Sequence, residues 1–237
     1  VNYKSREDTL ACLDSLFEDL RGSTYQIKSI VVDHSPEAQF GKDLQNDYPD
    51  VATLSSTQNK GFGAGHNRAI SELDAPYYLI LNPDIAFPKN GRVIERMIQW
   101  METHPNAGMV GPKLLNPNGE IQTSCYRFPG FWTQPLRRLG LQNRSRRAQS
   151  LVDHFLMTDF DRKKTVEVDW IMGAAMLVRK QAWEEAVAPD PLPLPHQRAC
   201  VCYRHGFQPR AGGCGVLGSW WWWWRADVGA EQRIVCV

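Results

Sequence analysis

Apolar positions recur along the first four-fifths of the chain at two spacings. Leu10, Leu13, Leu16, Phe17 and Leu20 fall at helical intervals, which predicts a helix on this stretch. Ser5 with Asp8 three residues on reads as its capping box, and Gly22 as its stop. Short apolar runs predict strands at 26–32, at 51–54 and at 77–81. The run Tyr77 to Leu81 is unbroken, as in a strand of a parallel sheet covered on both faces. Val93, Ile94, Met97, Ile98 and Met101 mark one face of a helix over 90–104, closed by His104-Pro105. Gly108 to Leu115 reads as a strand pair around Pro112, and Asn116-Pro117-Asn118-Gly119 as a hairpin turn. Val166 to Val178 contains a further strand, and Gln181 to Glu185 begins a helix. Val1 to Ser5 reads as the end of a strand whose beginning is absent.

The stretch between the third and fourth of these elements carries candidate chemistry. Asn59-Lys60-Gly61-Phe62-Gly63-Ala64-Gly65-His66-Asn67-Arg68 is a glycine-rich turn feeding a helix. Glycines there admit positive φ and close approach of another molecule. The amides that follow sit at a helix N-terminus, where anionic groups are favoured. Asn82-Pro83-Asp84 then closes the strand Tyr77 to Leu81. A carboxylate at the carboxyl end of such a strand can hold a hard cation, and the cation a diphosphate. The glycine spacing is neither the dinucleotide fingerprint nor a Walker A loop. Read singly, the glycines fit a tight turn and Asp84 a turn residue.

Composition changes this picture little. The chain has 237 residues, 43% hydrophobic and 22% charged, with a net charge of +1. That balance suits one α/β domain with a short appendage and gives no reason to expect a nucleic-acid partner. No apolar run reaches the roughly 18 residues of a membrane span, and no signal peptide is visible, so the expectation is a cytoplasmic protein. The six cysteines show no standard zinc spacing, Cys200-x-Cys202 included. Residues 128–147 combine Phe128, Phe131 and Trp132 with Arg137, Arg138, Arg144, Arg146 and Arg147. Such a segment is either a solvated loop or a surface for anionic lipid or a lipid diphosphate, the latter implying a peripheral position at the inner face of a membrane.

In combination, Asn59-x-Gly61-Phe62-Gly63-Ala64-Gly65-x-Asn67 followed by Asn82-Pro83-Asp84 resembles the family 2 glycosyltransferases, in particular the bacterial rhamnosyltransferase-like branch. The resemblance extends through Gly111-Pro112-Lys113-Leu114 and Asn118-Gly119 to Trp170-x-x-Gly173-Ala174. It implies an α/β chain of the Rossmann-like GT-A fold, a mixed central sheet flanked by helices, over residues 1–185 with a truncated first strand. It implies inverting, metal-assisted transfer of a sugar, rhamnose among the candidates, from a nucleotide-diphosphate sugar to a glycan or lipid-linked glycan, in cell-wall polysaccharide synthesis. Tyr3 and Asp33 would then meet the nucleoside. Asn59, Gly61, Gly63 and Asn67 would shape the diphosphate side, with Asn82 in the first place of a D-x-D-type motif. Asp84 would ligate Mg²⁺ or Mn²⁺, and Trp170 and Gly173 would line the acceptor side.

The pattern ends near Glu185. Where the family carries the carboxylate pair that supplies its general base, the chain reads Pro189-Asp190-Pro191-Leu192-Pro193-Leu194-Pro195 and later five tryptophans, Trp220 to Trp224. Alternating prolines continue neither helix nor central strand. The expectation is that residues 186–237 are an aberrant tail, a reading-frame shift near Ala186 against a real extension, with no core element. Catalytic residues are then unknown; Asp169 and His66 are the nearest substitutes for the base. Two other readings stay open: a catalytically inactive nucleotide-sugar-binding protein, and a nucleotidyltransferase.

Overall fold

The computed structural model describes residues 1–35, 39–56, 58–59, 61–158, 160–161, 164–187 and 233–236. Two parallel strands open it, β1 (Ser29–Asp33) and β2 (Val51–Ser55), preceded by α1 (Arg6–Asp19) and joined through α2 (Gln39–Asp47). On the other edge of β1, Asn2 forms an isolated parallel bridge with Asp33. Then follow α3 (Phe62–Ser71), β3 (Tyr77–Leu81), α4 (Val93–Thr103) and β4 (Ala107–Gly111). A short ribbon pairs β5 (Cys125–Tyr126) antiparallel with β7 (Trp170–Ile171). Between its strands lie α5 (Thr133–Arg138), a 3-10 turn at Leu141–Arg144, α6 (Arg146–Leu156) and β6 (Val166–Glu167). The described chain closes with β8 (Ala175–Arg179), α7 (Lys180–Val187) and β9 (Arg233–Cys236).

The main sheet runs β3-β8-β4-β9-β6. It is mixed, because β8 is antiparallel to both β3 and β4 while β9 is parallel to β4. Alternating residues of β3 serve two cores. Tyr78 and Ile80 pack with Met176, Val178 and Trp183 on one face; Tyr77, Leu79 and Leu81 lie against the cluster of Leu44, Met97, Met101 and Val110 on the other. The sheet is thus covered on both sides, as its unbroken apolar run requires.

Local sequence signals were kept in part. The turn at Asn116–Gly119 forms, with Gly119 at φ 83° and the Asn116 amide bonded to the Glu120 carbonyl. The capping box of α1 does not form. Ser5 is the N-cap, yet its hydroxyl donates to Asn2 Oδ1 at 3.0 Å instead of serving the helix. A buried amide oxygen in need of donors outcompetes an exposed helix end. The N-terminus of α4 is capped from a distance: the Val93 and Ile94 amides donate to the buried carboxylate of Asp19, at 2.9 and 3.1 Å. The tail, expected to hold no core element, supplies β9 inside the main sheet. Its proline run and its tryptophans lie outside the described residues.

Residues 128–147, for which a mobile loop was one expectation, are helical in large part. Helix α6 starts at Ser145, whose hydroxyl accepts from the Ala148 amide at 3.1 Å, and buries Ala148, Val152 and Phe155 at helical spacing.

Candidate functional site

The carboxyl end of β1 is organised by Asn2, only 1% exposed. Its Nδ2 donates to Asp33 Oδ1 at 2.8 Å and to Ser35 Oγ at 3.2 Å. Its Oδ1 accepts from the Ser5 amide, the Ser5 hydroxyl and the Thr9 hydroxyl. One buried amide therefore ties the end of β1 to the start of α1, and full satisfaction is what makes its burial tolerable. Asp33 is equally buried, at 1%, and its Oδ1 also takes the Ser35 amide at 3.0 Å. Tyr3, by contrast, lies open at the rim, 47% exposed. The hub role of Asn2 was missed by the sequence reading, which took residues 1–5 as a strand end that brings Tyr3 to the nucleoside.

The glycine turn divides its labour. Gly61 alone of the three takes positive φ, 89°, and is the N-cap of α3. Asn59 Oδ1 accepts its amide at 2.9 Å, holding the turn in place. Gly63 and Gly65 lie inside the first turns of α3. Gly65 is needed for close packing: a Cβ there would stand 2.8 Å from Val1 Cγ2 and 3.1 Å from His34 Nε2. Asn67 follows within α3, partly buried. The positive end of α3 is thereby set against the carboxyl end of β1.

The carboxyl end of β3 sits beside it. The Asn82 amide donates to the Ala174 carbonyl at 2.8 Å, so Asn82-Pro83-Asp84 meets the turn of Gly173 and Ala174 that leads into β8. The Cys12 thiol of α1 donates to the Asn82 carbonyl at 3.7 Å. Burial pushes that thiol up to about 11, and the nearby Asp84 carboxylate adds to the rise. Asp84 itself is exposed, directed at solvent where a ligand can reach it.

Asp33 and Gly65 thus meet the start of the chain through Asn2 and Val1, while Asn82 and Asp84 lie near Cys12 of α1. Trp170 stands apart on the ribbon, stacked on Tyr126 with ring centroids 4.1 Å apart. Of the two substitute bases, His66 is enclosed and Asp169 is exposed. His66 is buried against Phe62, and burial, with the Val1 amine adding, holds its pKa down at about 3. Asp169 Oδ2 accepts the Phe128 amide at 2.7 Å and fastens the ribbon. A cavity of about 400 Å³ lined by Trp100, His104 and Glu167 lies at the amino end of β4, the far end of the sheet.

No group of three or more His, Cys, Asp or Glu side chains forms a metal cluster among the described residues. A lone exposed carboxylate with an asparagine beside it does suit a hard cation that takes its remaining ligands from phosphate and water, the usual habit of Mg²⁺.

A glycine turn and helix against a parallel strand pair, with a mixed sheet whose β3 ends in a carboxylate, defines the Rossmann-like GT-A class of transferases. The family model described as glycosyl transferase family 2 matches residues 1–163, and the chain belongs to that family. Curated relatives are the N-acetylglucosaminyl-diphospho-decaprenol L-rhamnosyltransferases of two Mycobacterium tuberculosis strains, each 23% identical over 164 residues. That alignment covers 57% of this chain and 46% of the relatives, so the chain spans about half the length of the curated relatives it matches. Among solved structures, the mannosyltransferase PcManGT of Pyrobaculum calidifontis in complex with GDP-Man and Mn²⁺ is 16% identical with a TM-score of 0.47, covering 77% of this chain and 44% of that one. TarS residues 1–349 of S. aureus are 17% identical with a TM-score of 0.41, covering 54% and 39%.

Proposed function

We propose that the chain transfers a sugar, with inversion, from a nucleotide-diphosphate sugar to a glycan or lipid-linked glycan in cell-wall polysaccharide synthesis. The name of the curated relatives makes rhamnose the first sugar to test, and a polyprenyl-diphosphate glycan the first acceptor. The observations that carry this reading are the Gly61-capped N-terminus of α3, whose Gly65 packs on Val1 and His34, and the exposed Asp84 just past the end of β3. It supports a site for an anionic leaving group: backbone amides and Asn59 on one side, a hard-cation ligand on the other.

In the reaction the acceptor oxygen bonds to the anomeric carbon as the bond to the diphosphate breaks. The acceptor proton passes to a base, and the nucleoside diphosphate leaves. A bound divalent cation would supply charge neutralisation on the leaving diphosphate. Asp84 would hold that cation, with Asn82 beside it on the nucleotide-sugar. Asn59, Gly61, Gly63 and Asn67 would orient the diphosphate, Asp33 and Tyr3 would form the nucleoside side, and Trp170 and Gly173 would border the acceptor. The glycosyltransferase domain ends, in this reading, at residue 185, and 186–237 are an aberrant tail, either a frameshift product or a real extension, from which β9 pairs with β4.

An inactive donor-binding protein is the second reading, favoured by the enclosure of His66. The test is incubation with nucleotide-sugars, Mn²⁺ and a lipid-linked acceptor, followed by product analysis. Release of nucleoside diphosphate with a glycosylated acceptor supports transfer. Binding with no product selects the second reading, and formation of a sugar-nucleotide from a sugar phosphate would replace both with nucleotidyl transfer.

A further inference from the structure

The segment Ile121 to Val152 carries six arginines and no acidic residue, in a chain whose net charge is +1. The rest of the molecule is therefore net acidic, and its basic charge is concentrated on one helical unit. Five of those arginines, Arg137, Arg138, Arg144, Arg146 and Arg147, are exposed on α5, the 3-10 turn and α6. Beside them stand large apolar side chains that face water: Phe131 is 84% exposed, Leu139 69% and Trp132 62%.

This exposure is built in. Thr133 is 1% exposed and its amide bonds to the Gly130 carbonyl, so the turn is pinned from inside while Phe131 and Trp132 project outward, ring against ring at 5.1 Å. Helix α6 is anchored through Ala148, Val152 and Phe155, and Arg137 lies over the Phe155 ring. Asp169 fastens the preceding strand through the Phe128 amide. A solvated loop would have no reason to fix two aromatic rings in water on a packed helical turn.

We propose that the α5–α6 flank is a docking surface for an anionic lipid bilayer. Aromatic side chains of this kind enter the headgroup region, and arginines beside them gain from a negative surface potential. A single-stranded nucleic acid would use the charge and stack on Phe131 and Trp132, but would leave the exposed Leu139 in water. The ribbon β5–β7 links this flank to the turn at Gly173 beside Asn82. The inference does not depend on the donor-site reading.

The test is vesicle co-sedimentation of the whole chain, with no nucleotide present. Phosphatidylcholine vesicles with and without 25 mol% phosphatidylglycerol are compared. The expected result is binding to the anionic vesicles alone, reduced by salt. Arg146→Ala with Arg147→Ala should weaken it about fivefold per arginine removed. Phe131→Ala with Trp132→Ala should weaken it at least tenfold while circular dichroism is unchanged. Equal binding to both vesicles, binding to neither, no effect of both double variants, or tighter binding to single-stranded RNA than to anionic vesicles would overturn the proposal. Failure of nucleotide binding would leave it standing, and failure here would leave the donor site standing.

Discussion

At the carboxyl end of β1 polar side chains are inside; on the α5–α6 flank aromatic side chains are outside. Asn2 and Asp33 are each 1% exposed, whereas Phe131 is 84% exposed. Both regions invert the usual partition of residues. The first inversion is answered within the molecule, since each end of the Asn2 amide finds protein partners. The second has no such answer in the fold, because burial of Phe131 and Trp132 would need a surface the described chain does not provide. A buried polar hub of the first kind fixes geometry; an exposed apolar patch of the second kind waits for a partner.

Substitution should separate the two regions sharply. Asn2→Ala strands the Asp33 carboxylate and the Ser5 and Thr9 donors, and should cost about 3–4 kcal/mol in urea unfolding. Phe131→Ala should stay within about 0.5 kcal/mol, because little burial is lost. Equal costs at the two positions would break the comparison.

Acid should weaken the strand-end region next. His66 has its pKa lowered from 6.5 to about 3 by burial, and His34 is lowered by burial too. A folded-state pKa below the unfolded one means the unfolded chain binds the proton more readily. The stabilisation is complete above 6.5 and is lost as pH falls from there toward 3. Between pH 7 and 5 the His66 contribution alone is about 2 kcal/mol. Thermal unfolding across that range should show the loss, and His66→Phe should flatten it; an unaltered slope in that variant would count against the buried-imidazole account.

Smaller effects are expected where one backbone feature is at stake. Asp19→Ala uncaps α4 and should cost about 1–2 kcal/mol, with Asp19→Asn recovering part of it. Gly61→Ala meets open space for its Cβ but forces a side chain into positive φ, at about 1 kcal/mol. A fully neutral Gly61→Ala in chemical denaturation would show that the turn relaxes to another conformation.

Much of this architecture was legible in residue order because its signals are local. The spacing of Val93 to Met101 gave α4, the run Tyr77 to Leu81 gave β3, and Asn118-Gly119 gave a turn. The glycine turn was legible as an α3 entry, but its three glycines were read alike. Packing against Val1 and His34 marks out Gly65, and a φ of 89° marks out Gly61. Asn2 and Asp19 were invisible because their partners lie 31 and 74 residues away. Helix α6 carried a readable signal in Ala148, Val152 and Phe155, obscured by the arginines that precede them. The strand β9 is short, and its place beside β4 is set by pairing across more than a hundred residues.

The central claim is that Asp84, at the open end of β3, holds the cation of a nucleoside diphosphate placed against the α3 N-terminus. Calorimetric titration of nucleoside diphosphates, with and without Mn²⁺, tests it on the parent chain and on Asp84→Ala. The account predicts that Mn²⁺ strengthens binding to the parent chain by tenfold or more, about 1.4 kcal/mol or greater, and that Asp84→Ala abolishes the gain with circular dichroism unchanged. The same affinity with and without Mn²⁺ in the parent chain, or an undiminished Mn²⁺ effect in Asp84→Ala, would contradict it.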